Sequence, residues 1–459
     1  MAVGDSEGHS LAIRGTEQGP MPLTWGQGNM WDSMAALGPL SDRLNMSWPI
    51  ASPADGVGVS EALARLRGLL SRLDIFRASF DTERVRQTFR DEVHIEVRVT
   101  EAPAEAVPVR HGYNTQKDPA CAELASGAFG MDEPQIRLGL QHVGGIVTQI
   151  DVAMSHLAFD GGACRPLERL IRDAVAGARP GADDARPPRT ADRAHPLQTA
   201  DLVAHEQSAD QVRRSDAVID GWLAAAARLP PGRGLMSMTP EAFSVTILRS
   251  RAAAVAVEAL ALRHGVSASG VVVSALTTTV RRHVDRRLSA FLLVCNNRSH
   301  PQLTDFVGQT IGNGLLVLPD EKPGAGFAAY TRSLYARTIT TYSRARYDCL
   351  KWRAALTELT AKGLATDFSY YFNDVRSDRG VWAGMASRLP EIKALREESS
   401  VTTVGRRDMG DATLFADLGS DGDELILQVA CDDTRIAPAD AASALAALEH
   451  LLVTEALET

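Results

Sequence analysis

The stretch Ala153-Met154-Ser155-His156-Leu157-Ala158-Phe159-Asp160-Gly161-Gly162 decides how this chain is read. It follows Ile146–Met154, an alternating apolar run with the period of a strand. It precedes Arg165–Ala176, a segment with helical spacing. His156 and Asp160 therefore fall on a strand-to-helix turn, where a fold can present a side chain to a cleft. An imidazole with an ordinary pKa of ~6.5 can take a proton from an amine or hydroxyl near neutrality. Asp160, four residues on, is placed to fix the geometry of the turn, while Gly161 and Gly162 permit backbone angles that a side chain forbids. A buried histidine hydrogen-bonded inside a loop would show the same spacing; the strand–turn–helix context favours the chemical reading.

Upstream, firm structure opens at Pro22–Trp31, with Thr24 as candidate N-cap and Gln27 and Trp31 on one helical face. Leu44–Ile50 predicts a strand, and Ser60 is the expected cap of a helix with Leu63, Leu66, Leu69, Leu70 and Leu73 on its buried face. Phe76–Phe80, Val85–Phe89, Val93–Val99 and Gln135–Gln141 alternate as strands, and Gly144-Gly145 is a hairpin turn. Residues 1–20 are rich in Gly, Ser and acid and are expected to be loose, apart from a strand at Leu11–Arg14. Residues 178–196, ARPGADDARPPRTADRAHP, carry four prolines and no apolar period, which marks a linker.

Downstream, Leu197–Leu229 predicts one or two helices ending at Pro230-Pro231-Gly232. Phe243–Ser250 is a strand, and Arg251–His264 and Ser267–His283 are helices separated by the C-cap glycine Gly265. Leu288–Val294, Phe368–Phe372 and Leu425–Ala430 are strands; Phe327–Arg346 and Ala437–Leu452 are helices. Ser377–Glu398 and Gly405–Asp423 are polar and expected as extended loops. Strands and helices alternate on both sides of the linker, so the class is α/β or mixed α+β, with an N-terminal lobe over 21–177 and a C-terminal lobe over 197–459.

Composition narrows the function classes. The 459 residues are 45% hydrophobic and 23% charged, as expected for a soluble globular protein of two or three domains. With 48 basic and 57 acidic side chains the net charge is −9, against the basic surface that a nucleic-acid binder needs. No apolar run has the ~18–20 residues of a membrane span, and no signal peptide is visible, so a cytoplasmic protein is expected. Five scattered cysteines without CxxC spacing argue against a zinc site or a disulfide framework. No metal site is expected: the histidines other than His156 form no ligand cluster. No nucleophile-elbow pattern suggests covalent catalysis.

Ser155-His-Leu-Ala-Phe-Asp-Gly161 resembles the HHxxxDG signature of nonribosomal peptide synthetase condensation domains, in the superfamily of the CoA-dependent acyltransferases related to chloramphenicol acetyltransferase. Other segments agree in order. Leu23–Gln27 with Trp31 resembles the opening motif, Arg72–Phe80 resembles RHExLRTxF, and Gln198–His205 resembles YxDFAVW. Asn297-Arg298 with Val307-Gly308 and Asn313 resembles NR…VGxFVNTL, and Phe372-Asn-Asp374 lies where the family has a similar strand. The resemblance runs from about Pro22 to Leu452 and suggests a free-standing member. Three departures stand out. Ser155 replaces the first signature histidine, the gap from Gly308 to Asn313 is one residue longer than usual and suggests a bulge, and no DFGWG-type motif is present.

The resemblance implies two chloramphenicol acetyltransferase-like lobes arranged as a V around a central channel. It implies that His156 is catalytic, that Asp160 is structural and pairs with Arg77, and that Gly161 admits the acyl donor. Ser155 would alter packing or substrate geometry. Gly162, Trp25, Asn313, Ser369, Tyr371 and Asn373 are channel candidates, with core packing as the alternative for Trp25 and Trp31, a turn cap for Asn313, and solvent or an interface for the strand residues. The basic run Arg281–Arg287 fits a helix C-terminus, with a carrier-protein or CoA-phosphate contact as the alternative. The implied function joins an acyl or aminoacyl group, tethered to a carrier protein by a phosphopantetheine arm, to a small-molecule amine or hydroxyl in secondary-metabolite (antibiotic) biosynthesis, with no bound cofactor. The alternatives are acyl-CoA as donor and a non-catalytic recruitment module.

Overall fold

A computed structural model describes residues 6–52, 56–103, 118–177, 196–230, 243–319, 326–363, 368–376, 378–407 and 412–458. The expected linker lies outside the described residues except for Pro196. The chain divides into two units. Unit 1 is Met1–Arg214 with Asn296–Ile311 and Asp348–Leu350; unit 2 is Ser215–Cys295, Gly312–Tyr347 and Lys351–Thr459. The division thus falls past the predicted linker, and two later segments return to unit 1. Contacts distant in sequence decide such membership, and no compositional break marks them.

In chain order unit 1 holds β1 (Ser6–Arg14), β2 (Gln18–Pro22), α1 (Trp25–Leu37), β3 (Met46–Ala51), β4 (Val57–Gly58) and α2 (Val59–Leu70). Then come β5 (Ala78–Asp81), β6 (Arg86–Phe89), β7 (Glu92–Glu101), α3 (Pro119–Ala125), β8 (Ile136–Val143), β9 (Ile146–Met154), α4 (Gly161–Ala176) and α5 (Thr199–Glu206). One sheet has the order β1-β7-β8-β9-β3, with β4 also on β9; a second is β2-β6-β5. Only β7 and β8 pair in parallel in the larger sheet. Residues 1–5 of the segment expected to be loose lie outside the described residues, and from Ser6 on it is ordered: all nine residues of β1 pair with β7, from Ser6↔Thr100 to Arg14↔Glu92. Its polar half hid that strand, because an edge strand needs few apolar side chains.

The α2 helix buries Ala62, Leu63, Leu66, Leu69 and Leu70, as its leucine period predicts, but it starts at Val59 with Gly58 as its cap residue, so Ser60 lies inside the helix and Leu73 beyond its end. These join the core with Leu138, Leu140, Ile150, Val152, Leu167 and Ile171. On the other side of β9, Cys121 of α3 reaches Asp151, so β9 is covered on both faces. A strand so covered can deliver the residue that follows it with little freedom.

The division falls within α6 (Ala209–Ala226). Unit 2 continues with β10 (Phe243–Ser250), α7 (Arg251–His264), α8 (Ala268–His283), β11 (Ala290–Cys295), β12 (Gly312–Val317), α9 (Phe327–Ser343), α10 (Cys349–Ala361, whose first two residues belong to unit 1) and β13 (Tyr370–Asp374). It ends with α11 (Ile392–Glu397), β14 (Ser400–Arg407), β15 (Leu414–Asp421), β16 (Glu424–Asp432) and α12 (Pro438–Leu457). The strands form one mixed sheet, β12-β11-β13-β15-β16-β10-β14. The expected extended loops hold structure: a 3-10 turn at Met385–Glu391, α11 and β15. Short helices and a strand with Ala416 and Gly419 among its residues give a weak apolar period. Among the described residues no single helix is long and apolar enough to cross a membrane.

Candidate functional site

β9 ends at Met154, and a tight turn follows. The Ser155 N–H donates to Gln135 O at 3.1 Å, and the Ser155 carbonyl accepts from Ala158 and Phe159 at 3.3 and 3.2 Å. The Ser155 hydroxyl accepts from the Leu157 N–H at 3.3 Å. Ser155, fully buried, thus closes the turn with its backbone and its side chain. Leu157, Ala158 and Phe159 are also fully buried, and the Phe159 ring lies 5.6 Å from that of Phe76. With its neighbours anchored inward, His156 is the partly exposed residue of the turn. Its Nδ1 lies 2.9 Å from the Phe159 carbonyl oxygen.

Asp160 ends the turn and N-caps α4, accepting from the Ala163 N–H at 2.9 Å. Its side chain is wholly buried, which would be costly for a carboxylate without partners. Partners are present. Arg298 Nη2 donates to Oδ1 at 2.7 Å, and the Thr310 N–H donates to Oδ2 at 2.7 Å, with the Thr310 hydroxyl 2.9 Å from Oδ2. Arg298 is itself nearly buried, donating to the carbonyls of Leu303, Phe306 and Gly308 at 3.1, 2.5 and 2.8 Å. Asn297, at φ 52°, makes the left-handed turn before it.

The partner of Asp160 is therefore Arg298, not Arg77. Arg77 is buried elsewhere, donating to the carbonyls of Thr16 (3.1 Å) and Arg90. Burial pulls its pKa below the usual guanidinium value, and the charges of Asp74 and Asp91 work against that. Arg298 lay in a segment already singled out, but nothing local joins it to a turn 138 residues earlier.

The glycines divide. A Cβ on Gly162 would overlap Arg298 Nε and fall 2.7 Å from its Cδ, so this glycine makes room for the ion pair. A Cβ on Gly161 would meet nothing within 4 Å, so packing does not require that glycine.

Residues 309 and 310 supply two side chains that sequence reasoning missed. The buried Gln309 donates from Nε2 to His156 O at 2.7 Å and to Phe159 O at 3.2 Å. In this segment, where the sequence suggested a bulge, the consecutive side chains of Gln309 and Thr310 both reach the motif turn. The opening motif packs on the same segment: a Cβ on Gly26 would lie 2.6 Å from Gln309 O and 2.8 Å from Thr310 Cα. Thr24 forms the expected cap as a capping box with Gln27, and Gln27 Nε2 donates to Gln87 at 2.9 Å. Trp25 is buried, and its backbone N–H donates to the carboxylate of the buried Glu206 at 2.8 Å. Asp74 accepts from the N–H groups of Thr199 and Ala200 at 2.9 and 2.8 Å, capping α5.

The remaining candidates belong to unit 2. The Asn313 carbonyl accepts from Tyr347 at 2.9 Å, and Ser369 donates to the Thr413 hydroxyl at 2.6 Å. Tyr371 stacks on Phe415 at 5.4 Å, and Asn373 donates to Asp417 at 3.0 Å, so this face of β13 is tied to β15. Arg281 of the basic run donates to the carbonyls of Leu288 and Pro319 at 2.8 and 2.9 Å. Asp118, Cys121 and Asp151 form a buried group with metal-ligand atom types. Burial pushes both the Cys121 thiol and the Asp151 carboxyl up, and Asp151 is satisfied by Gln141 and Gln149 at 2.8 and 2.6 Å.

No family model matches the chain, and no curated protein matches it. Solved structures do. The condensation domain from the Monacolin K polyketide synthase MokA matches with a TM-score of 0.67 at 15% identity, over 97% of this chain and 99% of that one. SgcC5 from Streptomyces globisporus, solved with (R)-(-)-1-(2-naphthyl)-1,2-ethanediol and sucrose, matches at 0.64 and 15% identity, over 95% and 98%. The X-domain from teicoplanin biosynthesis in complex with OxyB matches at 0.64 and 17% identity, over 97% and 95%. The chain has the condensation-domain fold. At these identities the likeness concerns architecture; chemistry has to be argued from the residues.

Proposed function

We propose that the chain transfers an acyl or aminoacyl group from a phosphopantetheine thioester, held on a carrier protein, to an amine or hydroxyl. The observation that carries this reading is the state of His156. Its Nδ1 is tied to Phe159 O at 2.9 Å, and its Nε2 has no partner among the described residues. A carbonyl accepts only, so Nδ1 carries the proton and Nε2 keeps its lone pair. That is the tautomer of a general base. Nε2 takes the proton of the attacking N–H or O–H as the nucleophile bonds to the thioester carbonyl carbon. The C–S bond then breaks, and Nε2 returns the proton to the leaving thiolate. Amide or ester and free thiol result.

The other groups hold that base in place. The Asp160–Arg298 pair fixes the end of the turn, and a rigid base spares the reorganisation that would otherwise add to the barrier. Gly161 leaves open space beside it, where a thioester carbonyl can approach the first N–H groups of α4. The diol in the SgcC5 structure is consistent with a hydroxyl acceptor.

A second reading, partner recruitment without chemistry, is favoured by one observation: the X-domain of the same fold is solved in complex with OxyB. The test offers one acyl group on a carrier protein and on CoA, with amine and alcohol acceptors, and follows the carrier by intact-protein mass spectrometry. Acyl loss from the carrier with matching product, abolished in His156→Ala, is expected. Transfer from CoA alone points to the CoA-dependent alternative. No transfer from either donor overturns the enzymatic reading.

A further inference from the structure

Gln309 stands beside the proposed base without touching the atom that would do the chemistry. Its side chain is almost completely buried, at 1% exposure, and its amide is oriented by hydrogen bonding. The Ile311 N–H donates to Oε1 at 3.0 Å, which turns Nε2 toward the motif turn. There Nε2 faces two carbonyl oxygens, His156 O at 2.7 Å and Phe159 O at 3.2 Å, and lies 3.3 Å from His156 Nδ1. The flipped amide would set Oε1 against two carbonyls and an N–H against an N–H, so only one orientation is favourable.

An amide nitrogen has two hydrogens. Both are used on the two carbonyls, leaving none for Nδ1. A deprotonated Nδ1 would then meet the Phe159 lone pair at 2.9 Å and an amide nitrogen with no hydrogen to offer. A protonated Nδ1 finds an acceptor. The Phe159 oxygen has two lone pairs, one for Gln309 and one for the imidazole.

We infer that Gln309 is a positioning residue: it pins the two carbonyls of the motif turn and thereby locks His156 in the Nδ1–H tautomer, with the Nε2 lone pair outward. The inference rests on His156 as the base for its catalytic consequence, whereas the tautomer itself is read without turnover. The motif turn does not contain this residue, which falls at the unspecified position that follows Val307-Gly308.

The experiment is 15N NMR of the full chain labelled at histidine, with the His156 signals assigned by subtraction of the His156→Ala spectrum. Wild type should show a pyrrole-type Nδ1 and a pyridine-type Nε2. Gln309→Met keeps the volume, removes both donors, and should bring in the Nε2–H tautomer, with turnover down on the order of tenfold. Gln309→Glu replaces the donors with an acceptor for Nδ1–H and should raise the imidazole pKa. A merely structural Gln309 would lower the melting temperature without changing tautomer or titration. An Nε2–H tautomer in wild type, or unchanged His156 signals and titration in both variants, overturns the inference, as does failure of both variants to fold. Tautomer changes without any acyl transfer in wild type would uphold it and sink the functional reading instead.

Discussion

Asp160 Oδ1 accepts from Arg298 Nη2 at 2.7 Å, between two buried side chains that lie 138 residues apart in the chain. This bond closes the segment Asn296–Ile311 onto the end of the motif turn within unit 1. Removing either partner strands a buried charge, at a cost of ~3–5 kcal/mol. Asp160→Ala and Arg298→Ala should therefore each lower stability by that order in chemical denaturation. Their double variant should lose much less than the sum. Asp160→Ala with Arg77→Ala should be additive, because Arg77 binds the carbonyls of Thr16 and Arg90 instead.

The two glycines of the motif should separate stability from turnover. Gly162→Ala drives a methyl into Arg298 and should cost about 1–3 kcal/mol, read by denaturant midpoint. Gly161→Ala meets nothing within 4 Å and sits in the first turn of α4, so the fold should be unharmed. Its added methyl occupies the space proposed for the donor carbonyl. Acyl transfer should fall in Gly161→Ala at unchanged melting temperature.

Unit 2 should set an acid limb of stability. Burial works to raise the Asp374 carboxyl, but the bonds and charge of Arg376, the Ser269 hydroxyl and the Arg379 charge outweigh it and hold the carboxyl below its ordinary value. A depressed carboxylate contributes stability above its unfolded pKa of ~3.9 and loses it as pH falls through the folded value. Asp374→Asn should melt lower than wild type at neutral pH, and the gap should close in acid. Asp151 has the opposite sign, since burial raises it. Its ionisation weakens the fold as pH rises from ~3.9 through the raised value, so the melting gap should move in favour of Asp151→Asn over that rise.

Much of the architecture is legible locally. Strands β9 and β10 and helix α7 fall where period and caps put them, and Gly265 takes the left-handed C-cap conformation. Thr24 and Ser267 cap the helices they precede. Each of these signals lies within a few residues of its effect. What sequence misses is distant or short. Arg298 and Gln309 meet the motif turn only through the fold, and the capping of α5 by Asp74 crosses 125 residues. His156 and Asp160 were visible because one strand-to-helix turn holds both; their partners were not, because side-chain pairing leaves no periodic trace.

The direct measurement is transfer from an acyl-loaded carrier protein to an amine or alcohol acceptor by wild type and by His156→Ala, followed by intact-protein mass spectrometry with melting curves for both. General-base chemistry at Nε2 predicts equal melting temperatures and a rate at least ~100-fold lower in the variant. Equal rates in the two proteins would contradict it.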